Sequence, residues 1–363
     1  MSNDSIKTLL FSVLKGALRG ECVPREIVET LSAKDWGQFL VLSQQHNIIP
    51  LVCDGLCGLR GVIPSMVFAK IAALTAISED KYERRVSVVR ELATIMAEKQ
   101  IPVLILKGYG MSLYYPNPKH RLFSDVDTYH FGSHVEADKT LKEILGVDID
   151  VDVHHHTTCV YKGVLVENHY DFINTTQHKS YACFEQILKA EASQNVREHE
   201  VGNTNILLPS AMFNALFLMR HMAMHYAAER VSLRHLCDWM LFVAAEHQNI
   251  DWERVNAIYE QFNMKRFADA ITGICIDNLG MSADYVPGVH RDKALEARIL
   301  NDIIFAEFGE KMPEKGFFRI VWWKTRRYFA NSWKHKLIYK ESWVWTFFQA
   351  SWAHLIKPKT ITH

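Results

Sequence analysis

The chain has 363 residues, 48% of them hydrophobic, and its 41 Lys+Arg balance 41 Asp+Glu. That length allows two or three domains with a sizeable core, and the even charge gives no sign of a globally basic nucleic-acid binder. No run reaches the roughly 18 apolar residues of a membrane span, and the N-terminus lacks the pattern of a signal peptide. The seven cysteines are odd in number, scattered and without a CxxC pair, so the expectation is a cytoplasmic protein with reduced thiols.

Residues 1–100 read as an N-terminal helical segment. It opens with an amphipathic stretch over residues 1–20, then a helix start at Pro24. Ser32 and Asp35 look like an N-cap and acidic first turn. A long helix is expected over 64–99.

At Ile101 the pattern changes. The run PVLILK reads as a short buried strand. Gly108 and Gly110 then allow a tight turn, and MSLYY starts a helix that Pro116 stops. A polar loop leads to a second strand, 125–131. Ser133 and Glu136 have capping-box spacing and open a helix over 134–145, closed by Gly146. Two more strands are expected at 147–156 and 160–172, with a turn near Lys162-Gly163. A β-α-β-α-β-β core thus begins at 101 and is taken to extend to 205.

From Pro209 the chain reads as helical again, in a C-terminal domain over 206–310. Helices are expected at 210–229 and 232–247, and Asp251 caps the next. Residues 311–363 form a basic aromatic tail. From Glu310 onward there are 11 Lys/Arg against three Asp/Glu, and six of the nine tryptophans. That composition suits helix packing with a basic outer face, or contact with RNA or a membrane surface. The fold class is α+β: a small mixed β-sheet core flanked by N- and C-terminal helical segments.

The chemistry centres on Asp125-Val126-Asp127. Residues one apart on a strand share a face. Two carboxylates about 4 Å apart repel by about 4 kcal/mol at an effective dielectric near 20. Solvent or a cation must screen them, and magnesium favours carboxylate oxygens. A two-metal site needs a third carboxylate on a neighbouring strand. Glu167 is preferred, because Val164, Val166 and Asn168 alternate with Glu167 and His169. Asp152, with Asp148 and Asp150, looks more like a solvated strand edge. Lys107, Gly108, Arg121 and Ser124 are the candidate nucleotide contacts: two cations, a residue that lets backbone approach phosphate, and the serine before Asp125.

Other clusters have plainer readings. The His154-His155-His156 run, with His169 nearby, reads as ordinary polar strand residues, as acceptor or phosphate contacts, or as a zinc site, since His154 and His156 share a strand face, but no Cys or fourth ligand sits at a recognisable spacing. His221 and His225 lie one turn apart without the Glu of a zinc-protease helix. Arg234 and Asp238 are spaced for an ion pair bracing a helix, or for support of an acceptor.

The order of VLILKG, Tyr114-Tyr115-Pro116, Arg121, Asp125-Val126-Asp127 and Glu167-Asn168-His169 resembles the uncharacterised nucleotidyltransferase family of the DNA polymerase β-like superfamily. The flanks are similar too, from Asp35-Trp36 to Ile49-Pro50 and from Leu233 to Trp252, so the resemblance covers residues 30–270. It implies a nucleotidyltransferase core and two magnesium ions held by Asp125, Asp127 and Glu167. Glu167 would be the third ligand or the base. It also implies transfer of NMP from an NTP such as ATP to an acceptor hydroxyl, on a small molecule or sugar. His169, Arg234 and Asp238 would support the acceptor side. The alternatives are a toxin-like nucleotidyltransferase modifying tRNA or protein, and a non-catalytic binding protein of the same fold. The first turn departs from the superfamily, with Gly108-Tyr109 where Gly-Ser is usual.

Overall fold

The structure, a computed structural model, describes residues 2–151, 155–175, 179–228, 231–310, 312–313 and 315–343. The first hundred residues are helical, as expected: α1 (Asn3–Arg19), α2 (Arg25–Glu29), α3 (Ala33–Gln45), α4 (Ile49–Leu56) and the long α5 (Ser65–Glu98). Ser32 and Asp35 cap each other's backbone ahead of α3.

Six strands form one mixed sheet: β1 (Leu104–Ile105), β2 (Asp125–Tyr129), β3 (His156–Tyr161), β4 (Val164–His169), β5 (Arg197–Val201) and β6 (Thr204–Leu208). Their order is β3-β4-β2-β1-β6-β5. β2 lies parallel to β4 and β1 to β6, while the other pairs are antiparallel. Between the strands run α6 (Lys107–Ser112), α7 (His134–Leu145) and α8 (Lys179–Ala192). Then come α9 (Ala211–Ala228), α10 (Leu233–Glu246), α11 (Trp252–Gln261), α12 (Lys265–Leu279), α13 (Lys293–Phe305), α14 (Phe317–Ala330) and α15 (Ser332–Ile338). The α+β class stands. No helix among the described residues is long and apolar enough to cross a membrane, and all seven cysteines are free.

Strand alternation divides the sheet into two faces. Ile105, Val126, Val164 and Val166 point to one face and pack with Val89, Leu92 and Met96 of α5 and Ala137 and Leu141 of α7. Leu104, Leu106 and Tyr129 point to the other and join the larger core with Phe213 and Phe217 of α9. The face toward α9 is also the face of Asp125, Asp127, Glu167 and His169.

Several expected elements differ. Gly108 and Gly110 do not make a tight turn but lie inside α6, and the residue with left-handed backbone is Lys107, at φ 32°. Gly108 lies at a close approach: a Cβ there would sit 3.1 Å from Phe123 Cδ2 and 3.4 Å from the Asp125 carbonyl oxygen. Ser133 makes no capping bond, although α7 begins and ends where expected, with Gly146 left-handed. The strand over 147–156 reduces to one bridge between Asp150 and Thr158 among the described residues. Asp148 and Asp150 are exposed, and Asp152 and His154 lie outside the described residues. The hairpin β5–β6 extends the sheet to Leu208, so the boundary expected at 205/206 falls within β6.

One contact fixes the chain just after β4. Glu185 of α8 is 4% exposed, and its carboxylate accepts the backbone N–H groups of Phe172 at 3.0 and 3.1 Å and Ile173 at 3.1 Å. Burial pushes its carboxyl up to about 7, against the pull of those N–H donors. Glu185→Ala should destabilise the protein by about 2–4 kcal/mol in urea unfolding, because two buried donors lose their acceptor. The folded state binds the proton more tightly than the unfolded one. Stability from this group is therefore complete at acid pH and falls as pH rises from the ordinary glutamate range through about 7. Unfolding of wild type and Glu185→Gln at about pH 5 and about pH 8 checks this. The wild type should lose more stability than the variant, by at most on the order of 3 kcal/mol.

Candidate active site

β2 and β4 bring the acids together by register. Asp127 stands opposite Glu167, and Asp125 opposite Leu165. Because the strands are parallel and in phase, Glu167 reaches the same face as both aspartates. The ligand atoms of Asp127, Glu167 and His169 lie within 4.8 Å of one another. The β3–β4 hairpin adds His156, placed opposite His169. Lys162 and Gly163 turn that hairpin with positive φ, as expected.

Asp127 is 1% exposed, yet it stays charged. Its Oδ1 accepts from Lys107 Nζ at 2.9 Å and His169 Nε2 at 3.1 Å. Burial opposes ionisation, but those two cations outweigh it and hold the carboxyl well below the usual carboxylate range. Burial likewise opposes the charge on Lys107, and Asp127 with Asp125 raises it. Asp125 is the counterpart. Burial first, then the Asp127 charge, push its carboxyl up, with Lys107 opposing. The site therefore holds more negative charge than its own cations neutralise. His169 Nε2 also lies 3.4 Å from Glu167 Oε2, and its Nδ1 faces the Asp171 carbonyl at 3.2 Å. Burial would lower His169, but its bonds to Asp127 and Glu167 raise it.

The helices close the other side. His221 of α9 places Nε2 3.3 Å from Lys107 Nζ. Burial and the Lys107 charge push His221 well down, so it faces the ammonium as a neutral acceptor. The sequence signal for His221, a histidine on an apolar helix, gave no hint of this contact. His156 was more legible: once the turn is at Lys162-Gly163, counting back along the hairpin pairs it with His169.

Arg121 and Asp238 form a brace. Asp238 accepts from Arg121 Nε and Nη2 at 3.0 and 2.8 Å, Arg234 Nη1 at 3.0 Å and Tyr115 Oη at 2.7 Å. Arg121 Nη1 donates to the Gly108 carbonyl at 3.0 Å. Arg121 is 4% exposed, so its fork is committed to α10 and α6 rather than open toward a phosphate. Arg234 and Asp238 make the expected i,i+4 pair on α10. Ser124 is exposed, and its carbonyl accepts from Arg85 Nε at 3.3 Å. Gly108, as described above, gives its space to Phe123.

Asp238→Asn leaves two guanidinium groups buried against a neutral amide. It should cost about 3–5 kcal/mol in urea unfolding. Arg121→Lys should also destabilise, since an ammonium cannot bond Asp238 and the Gly108 carbonyl with the same planar fork. If Arg121→Lys unfolds like wild type and only loses nucleotide affinity, the brace reading is wrong.

No curated protein matches the chain. Two solved structures are similar over about half of it. One is an antigenic nucleotidyltransferase-like protein from Paracoccidioides brasiliensis, 16% identical, with 45% of this chain and 77% of that chain covered and a TM-score of 0.31. The other is the antibiotic-resistance factor ANT(2'')-Ia, 13% identical, with 51% and 94% covered and a TM-score of 0.36. Likeness at that level says nothing about the site or substrate. A family model described as uncharacterised nucleotidyltransferase matches residues 32–280, more than half of the chain and the whole of the sheet. The chain belongs to that uncharacterised nucleotidyltransferase family, and its class of activity is nucleotidyl transfer.

Proposed function

We propose that the chain moves an NMP from an NTP, ATP among the candidates, to an acceptor hydroxyl in a magnesium-dependent reaction. The observation that carries this is the gathering of Asp125, Asp127 and Glu167 on one sheet face, with Asp125 pushed up by burial and its acidic neighbours. Three carboxylates with surplus negative charge are a donor set that suits magnesium. Asp125, Asp127 and Glu167 would hold the ions. Magnesium bound there would offset phosphate charge and favour departure of pyrophosphate.

The chain's own groups do the rest. The acceptor hydroxyl oxygen attacks the α-phosphorus, the bond to the bridging oxygen of pyrophosphate breaks, and the hydroxyl proton leaves to a base. Glu167 is the carboxylate placed for that proton, or else the third ligand. His169 bonds both Asp127 and Glu167 and so fixes their orientation. Lys107 is the cation nearest the acids and would meet the phosphates once the nucleotide enters. Arg121 positions Gly108 and α6 through the Asp238 brace and acts on the nucleotide only indirectly.

The site is enclosed: the side chains of Lys107, Glu167 and Arg234 are each 16% exposed. That enclosure supports a small molecule or sugar as acceptor over a long polymer. Free cysteines support a cytoplasmic setting. The division into an N-terminal helical segment, a sheet core and C-terminal helices belongs to the same proposal, with the core carried on to Leu208.

Incubation with magnesium, each α-labelled NTP and a cell extract should label an acceptor and release pyrophosphate. Asp125→Asn and Asp127→Asn should each lower the rate about a thousandfold or more. Calorimetry on the wild type provides the harder test. If no NTP binds under any metal condition, the reading fails.

A further inference from the structure

The sheet face holds a second kind of donor set beside the carboxylates. His155, His156 and His169 place one ring nitrogen each within 4.8 Å of the others. Their ring centroids are 4.3 Å apart for His155 and His156, 4.9 Å for His156 and His169, and 5.7 Å for His155 and His169. Glu167 Oε2 lies next to this group, 3.4 Å from His169 Nε2 and 3.9 Å from His156 Nε2.

His156 is 8% exposed, and its Nδ1 is buried with no hydrogen-bond partner. A buried ring nitrogen without a partner is costly unless something fills the position. His169 has the arrangement of a metal-ligating histidine, whose second nitrogen is oriented by a carbonyl. Its Nδ1 faces the Asp171 carbonyl at 3.2 Å and its Nε2 faces Asp127 and Glu167, so a bound ion would replace the proton that Nε2 shares with Asp127. The hairpin enforces the pairing, because His156 and His169 are direct cross-strand partners.

The geometry points to a divalent transition-metal site formed by His155, His156 and His169 with the Glu167 carboxylate, which it shares with the proposed magnesium site. Imidazole nitrogen is the preferred donor of zinc, cobalt(II) and nickel(II), whereas magnesium takes oxygen. Ligand nitrogens around a tetrahedral zinc stand about 3.3 Å apart, given bonds of about 2.0–2.1 Å. The rings would close by about 1.5 Å at most, within reach of side-chain rotation. Binding would also fix Glu167 from its histidine side. The site shares Glu167 with the carboxylate set and His169 with Asp127; His155 and His156 belong to it alone, so zinc binding lost in their variants with NTP binding kept separates the two readings.

The test uses the full chain, stripped with a chelator and then titrated with cobalt(II) and with zinc. The wild type should bind one equivalent of zinc by metal analysis after dialysis and show the intense visible absorption of tetrahedral cobalt(II). Magnesium in large excess should not displace it. His155→Ala and His156→Ala should each weaken binding about tenfold or more, whereas Asp125→Asn should bind as wild type does. X-ray absorption on the zinc-loaded wild type needs no variant and should show imidazole scattering. Absence of a stoichiometric ion, oxygen-only coordination, or loss of binding in Asp125→Asn equal to that in the histidine variants would overturn the proposal.

Discussion

The buried charge of Asp127 is the constraint on which the middle of this structure depends. A carboxylate 1% exposed on a central strand is several kcal/mol unfavourable unless cations meet it. Both cations come from defined points in the chain. Leu106, just past β1, still pairs its N–H with the Asp127 carbonyl at 3.0 Å, so the next residue is the first beyond that pairing. That residue is Lys107, and it turns away with left-handed backbone while its ammonium returns to Asp127. Left-handed backbone is unusual for lysine and costs on the order of 1 kcal/mol. The ion pair offsets it. The second cation, His169, arrives through the parity of β4. A one-residue slip there would send Glu167 and His169 to the α5 face and bring Asn168 to the acids.

The helices are coupled to this arrangement by the other buried carboxylate, Asp238. It gathers Arg121, Arg234 and Tyr115, so one side chain ties α10 to the segment before β2 and to the end of α6. Burial disfavours its charge, but Arg121 and Arg234 hold its carboxyl far below the usual range. Asp127 and Asp238 thus solve one electrostatic problem in two ways. At Asp238 two guanidinium groups and a tyrosine hydroxyl converge on one carboxylate, which gives a braced joint. At Asp127 the neighbouring Asp125 and Glu167 put three carboxylates against Lys107 and His169.

Much of this was legible in the sequence, and what was not has physical causes. Strands β2 and β4 were readable because apolar residues alternate with acids, and Lys162-Gly163 marked the turn, but β3 falls largely between the strands expected at 147–156 and 160–172. From that turn the pairing of Thr158 with Glu167 and His156 with His169 follows by counting. Strand β5 was not readable. In Arg197-Glu-His-Glu-Val201 only Val201 is buried, so an edge strand carries no alternation of polarity. Gly108 was misread because a glycine after a strand signals a turn, whereas here it admits the Phe123 ring. Arg121 was misread because an arginine ahead of Asp-x-Asp can serve a phosphate or a carboxylate equally well. Its partner is 117 residues further on, beyond the reach of local pattern.

The two faces of the site therefore have unequal tasks. The sheet supplies fixed negative charge, set by strand register and hard to move without breaking several backbone hydrogen bonds at once. The helices supply neutral or positive groups, His221 and Arg234, carried on α9 and α10. Lys107 stands between them, 2.9 Å from Asp127 and 3.3 Å from His221. A polyphosphate brought to these groups would repel the acids and attract Lys107, so it would compete with Asp127 for the same ammonium. Loss of Lys107 from Asp127 would leave the carboxylates still more in need of a cation. Phosphate binding and metal binding would then reinforce each other through a single lysine, which makes the junction at residue 107 as informative as the aspartates themselves.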